Sequence, residues 1–95
     1  MKILAFEKEL PTVTEQSFEE YEKAEAKRIW ELYVSGVLRE MHFRADRDEA
    51  VLMLECENVK KAGEILETLP FVQKKLITFD LVPLRPYPGF ARLFK

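Results

Sequence analysis

The chain of 95 residues is long enough for one domain with a modest core. Hydrophobic residues make up 47% and charged residues 34%, a globular mix rather than a disordered one. A formal net charge of −2 lacks the basic excess of a nucleic-acid surface, and no apolar run is long enough to span a membrane.

Residues 2–9, KILAFEKE, read as a first strand. The unbroken apolar start predicts a central strand covered on both faces. This stretch is too short for a signal-peptide core, so a cytoplasmic protein is expected. LPTVTEQSF is a loop and a helix start. Thr12 with Glu15, and Ser17 with Glu20, both fit a capping box. A long helix then runs to about Ser35, and Gly36 stands where a C-cap glycine belongs.

Residues 37–45, VLREMHFRA, alternate. Val37, Arg39, Met41, Phe43 and Ala45 are expected on one face, and Leu38, Glu40, His42 and Arg44 on the other. DRDE is a polar turn. Residues 50–56, AVLMLEC, are a third strand. NVKKAGEILETL is a second helix that Asn58 can cap and Pro70 follows. Residues 74–84 are a fourth strand, with Lys74 and Lys75 as its solvated start. Residues 85–95, RPYPGFARLFK, form an extended tail of the single domain 1–95.

This order, β-α-β-β-α-β, is the pattern of a ferredoxin-like α+β sandwich. Two helices would cover one face of a four-stranded antiparallel sheet. The other face carries apolar residues and no helix, which predicts a homo-oligomer, a dimer or larger ring, joined sheet to sheet. The tail, anchored by Tyr87, Phe90, Leu93 and Phe94, is expected to strap a neighbouring subunit or the chain's own barrel rim.

On the first helix, Phe18, Tyr21, Ile29, Leu32 and Tyr33 share one stripe at helical spacing. Glu22 and Glu25 fall inside it, while most other charges avoid it. A carboxylate among apolar groups has a raised pKa, which suits a general acid or base. Arg39, between Val37 and Met41, would pair with one of these glutamates if that strand face meets the helix. The alternatives are a solvated salt bridge or a glutamate overhanging the sheet. His42 is a second titratable candidate, or an interface histidine held by Glu40 or Asp46. Trp30 lies off the stripe and is expected to touch the tail or a second subunit. Cys56 and His42 are the sole cysteine and histidine. An internal disulfide, a cysteine-cluster zinc site and a multi-histidine site are thereby excluded. Cys56 reads as packing rather than a nucleophile, and no cofactor or metal is expected.

EKELP after the first strand, the long helix ending in Gly36, REMHF after it, and LETLPF closing the second helix resemble the muconolactone isomerase-like group of the dimeric α/β-barrel superfamily. The resemblance spans roughly residues 3–88. It implies a cofactor-free enzyme that shifts a double bond in a small unsaturated lactone or enolisable carboxylate by moving a proton. It further implies that Glu25 is the acid/base and that Arg39 binds the substrate carboxylate or the enolate oxygen. Glu40 falls where the isomerases carry a histidine, with His42 two residues on. Catalysis would then rest on Glu25, Arg39 and His42, with Glu22 and Tyr21 binding substrate. The alternative is a non-catalytic ligand-binding or assembly module of the same fold.

Overall fold

The structure, a computed structural model, describes residues 1–11 and 15–95, and the side chains of all of these except Glu15 and Gln16. Strand β1 spans Lys2–Glu9. A short helix α1, Glu15–Glu19, precedes the main helix α2, Glu22–Ser35. Strands β2, Leu38–Phe43, and β3, Ala50–Glu55, follow. Helix α3, Val59–Leu66, and a single-turn helix α4, Pro70–Gln73, lead to β4, Ile77–Pro83. A 3-10 helix, Gly89–Phe94, ends the chain.

The four strands form one antiparallel sheet in the order β2-β3-β1-β4. With the helices on one face, this is the ferredoxin-like arrangement expected from the sequence. The first helical segment is two helices rather than one. Tyr21 stands at the N-cap of α2 without a side-chain cap bond, and Ser17 lies inside α1. The capping box at Thr12 lies outside the described residues. Gly36 does end α2, at φ 87°, a left-handed conformation that costs glycine nothing. Asn58 caps α3 by accepting the backbone N–H of Lys61 at 2.8 Å.

Register assigns the faces. Ile3 pairs with Leu54 and Ala5 with Leu52, and these side chains turn to the helices. They pack with Leu32, Leu38, Leu66 and Leu69 in a continuous core. Each fully buried aliphatic side chain there contributes roughly 1.5–3 kcal/mol. Leu4, Phe6, Val51 and Met53 turn the other way and are half-buried. Within a single chain the expectation that β1 is covered on both faces is therefore corrected. Helices cover one face only, and β1 owes its apolar start to its central position.

Two further boundaries differ. β4 begins at Ile77, because Lys75 takes a positive φ of 59° and interrupts the strand. β2 carries a bulge, since Leu38 pairs with Leu54 but Glu40 pairs with the next residue, Met53. The extra residue is Arg39. It shifts Leu38 onto the same face as Met41 and Phe43, against the simple alternation the sequence suggests.

Beyond β4 the chain leaves its own body. Leu84 still bonds to the Lys2 carbonyl. Tyr87 and Phe90 then pack edge to face at 5.1 Å, with Gly89 beneath the Tyr87 ring, where no Cβ would fit. Phe94 is 85% exposed. The radius of gyration is 15.4 Å, against ~12 Å for a compact domain of this length. The projecting arm accounts for the difference.

Candidate functional site

Helix α2 touches β2 near the turn they share and leans on α4 through its first turns. Between these two supports it leaves a cleft of about 970 Å³. Phe18, Trp30, Tyr33, Phe43 and Phe71 supply aromatic walls. Phe18 and Phe71 meet edge to face at 5.0 Å, and Trp30 lies 5.8 Å from Tyr33. Met41 and Phe43 are on the helix side of the sheet, yet Phe43 is 66% exposed. No helix among the described residues covers this edge of the sheet, so its core-facing side chains become the wall of an open cleft.

Glu25 lies in this cleft and is 9% exposed. Its Oε1 accepts the backbone N–H of Phe71 at 2.9 Å. That donor is one of the orphans of the first turn of α4, so the carboxylate completes the helix as it is held. Burial pushes the Glu25 carboxyl above its ordinary value, and the Phe71 hydrogen bond opposes the rise.

Glu7 is the second titratable group, one the sequence reading did not single out. Burial pushes its carboxyl up to about 7. The backbone bond from Ala50 lowers it, while the charges of Glu9, Glu49 and Glu25 add to the rise. The signal was available in β1. Glu7 continues the two-residue spacing of Ile3 and Ala5, so it turns to the helix side.

The structure brings together some of the expected residues and separates others. Glu22 and Glu25 both line the cleft. Tyr21 lies at the start of α2 with Lys74 Nζ 5.4 Å over its ring, and it is not part of the lining. Arg39 is not beside Glu25. The bulge sends it to the opposite face of the sheet, where it borders a depression with Lys2, Glu40, Met53 and Glu55. Its Nε donates to the Gly36 carbonyl at 2.6 Å. His42 is on that open face too, with Nε2 3.3 Å from Glu40 Oε1. Trp30 lines the cleft, although the sequence reading assigned it to the tail or a second subunit. Cys56 is half-buried and its thiol donates to the Asn58 carbonyl at 3.7 Å; burial raises its pKa.

Among the described residues no histidine, cysteine and carboxylate group is arranged to hold a metal ion. No helix among them is long and apolar enough to cross a membrane.

One solved structure similar to this chain is the 5-chloro-2-hydroxyhydroquinone dehydrochlorinase from Burkholderia phenoliruptrix, in complex with 2,5-dihydroxybenzoquinone. The TM-score is 0.72 at 16% sequence identity, covering 94% of this chain and 98% of that one. The likeness establishes the fold. No family model and no curated protein matches the sequence.

Proposed function

We propose that the chain is a proton-transfer enzyme of the isomerase kind, acting without a cofactor on a small enolisable molecule in the cleft. The observation that carries this reading is the pair of carboxyl groups, Glu7 and Glu25, raised by burial in one aromatic-walled cleft. Glu25, ionised and held by the Phe71 N–H, takes a proton from the carbon next to a carbonyl. The C–H electron pair moves into the enolate, and Glu25 becomes the neutral acid. Returning the proton at the far end of the conjugated system shifts the double bond and restores the carboxylate. Glu7, raised to about 7 and so still carrying its proton in a share of the molecules at neutral pH, donates a hydrogen bond to the enolate oxygen while that charge develops.

The expected carboxylate anchor has no counterpart in this cleft. Arg39 and His42 lie across the sheet, so neither clamps a substrate bound beside Glu25 of the same chain. Glu22 remains a binding residue at the cleft's rim. The proposed substrate class is an unsaturated lactone in its neutral form. α-Angelica lactone, a small neutral lactone with an unconjugated double bond, is the test. Incubated in D₂O and followed by NMR, it is expected to take up deuterium and move its double bond. Glu25→Gln should slow this by about 10²- to 10⁴-fold. Uptake unchanged in that variant sinks the assignment.

The same chain is proposed to work as a homo-oligomer. Leu4, Phe6, Val51 and Met53 on the open face, and the apolar side chains of the arm, are surfaces that a second copy would cover. An assembly role without catalysis uses these same surfaces and leaves Glu7 and Glu25 idle.

A further inference from the structure

Among the described residues six carboxyl groups border the cleft: Glu7, Glu9, Glu19, Glu22, Glu25 and Asp48. No lysine, arginine or histidine among the described residues borders it. Nor do any of the six form a salt bridge among the described residues, although other acids of this chain find cations readily, as Asp46 does in Arg44. The side chains left undescribed, Thr12, Val13, Thr14, Glu15 and Gln16, include no basic group that would change this balance. Unpaired acids around an apolar cavity are an unusual arrangement, because pairing with an available cation would lower their repulsion. Here the cavity between them is wide enough for a ligand, and its walls are aromatic faces.

We infer that the cleft takes an organic cation, an ammonium or iminium group carried on a ring or short apolar body. The apolar body lies between Phe18, Phe71 and the Trp30–Tyr33 pair, and the charge rests among ring faces and carboxylates. Trp30 and Tyr33 present electron-rich faces on α2 within reach of the same cavity as Glu22 and Glu25. An anion of the same shape meets acidic groups, several of them exposed and charged, and no donor cation among the described residues. The inference rests on the proposed site and names its ligand class. It also suits that chemistry, since a cationic nitrogen beside a C–H group makes its proton easier to remove.

Lys74 already shows this recognition at the edge of the site, with its ammonium 5.4 Å from the Tyr21 ring centre. That pair lies outside the cleft and supplies no cation to its acidic lining.

The test is a matched series of one shape and three charges: phenethylamine, 2-phenylethanol and phenylacetate. Binding is read by calorimetry on the full chain at pH 7.5 and low salt. The amine is expected to bind at least about tenfold more tightly than phenylacetate, with the alcohol between them. Glu22→Gln, at an exposed rim position, should weaken the amine a fewfold and leave the alcohol unchanged. Raising the salt should narrow the gap between amine and alcohol. Phenylacetate binding as tightly as the amine would overturn the inference, and so would an amine that fails to saturate at millimolar concentration. A Glu22→Gln effect equal for amine and alcohol would show a shape change rather than a charge effect and would also count against it. None of these outcomes depends on deuterium uptake by the lactone. Amine binding without proton transfer therefore leaves the ligand class standing and removes the enzyme reading, and the reverse pattern does the opposite.

Discussion

The backbone N–H of Phe71 donates to Oε1 of Glu25 at 2.9 Å, joining residues 46 positions apart. One bond therefore does two things. It fixes α4 against α2, and it holds a buried carboxyl in the cleft. The two effects separate by substitution. Glu25→Gln keeps an oxygen acceptor for Phe71 and is expected to retain nearly all stability while losing proton transfer. Glu25→Ala leaves the N–H without a partner and should cost about 1–3 kcal/mol in urea unfolding. Equal stability for the two variants would mean that the bond contributes nothing.

Stability should fall as pH rises through the window between the unfolded and folded values of Glu7. In the unfolded chain its carboxyl titrates near the ordinary glutamate value, whereas in the fold it titrates at about 7. Below the lower value both states hold the proton and differ little. Between the two values the folded state holds more protons, so each step up in pH favours unfolding. Above the upper value both are ionised and the loss is complete. Glu25 is shifted in the same direction. The expected loss is roughly 1–2 kcal/mol, reduced because water still reaches the half-buried Glu7. Glu7→Gln should flatten the profile of Tm against pH, and a profile as steep as wild type would contradict the assignment.

Gly36 at φ 87° is expected to resist replacement. No neighbour crowds it, so Gly36→Ala meets backbone strain alone. A cost of about 1 kcal/mol is expected, and Gly36→Asn should cost less. Chemical denaturation of both variants measures this directly. An alanine variant as stable as wild type would mean that the turn between α2 and β2 readily takes another form.

Removing residues 85–95 should lower the oligomeric mass seen by light scattering while leaving the circular dichroism of the body intact. The arm touches its own body little past Leu84, and Phe90, Leu93 and Phe94 are exposed. A truncated chain with unchanged mass and melting point would sink the strap role of the arm.

The order of strands and helices was legible because periodicity and turn residues are local signals. Gly36, Asn58 and the charged turn between β2 and β3 mark their places by their own chemistry. The position of Arg39 was not legible in that way. A bulge depends on the pairing of β2 with β3, and strict alternation carries no trace of the extra residue. Moving that one residue sent Arg39 to the far face and dissolved the expected pairing with Glu25. Glu25 itself was legible from its place on the apolar stripe of the helix. Glu7 was equally legible from two-residue spacing, although its charge marks the strand's end more plainly than its face. The place of Trp30 on the cleft wall was not legible because a stripe at helical spacing describes the buried side of a helix. A cleft beside an uncovered strand reaches further round it.

The outer strands of the sheet also govern how copies of this chain can meet. β2 is kinked near its start by the bulge, and β4 ends at Pro83, with Pro86 and Pro88 soon after. A proline has no N–H to offer an incoming strand, and a kinked border does not match a straight one. Both open borders thus discourage endless strand-by-strand stacking. In the proposed homo-oligomer, contact would then fall to the broad face and the arm, where a closed assembly leaves no border for growth into fibres.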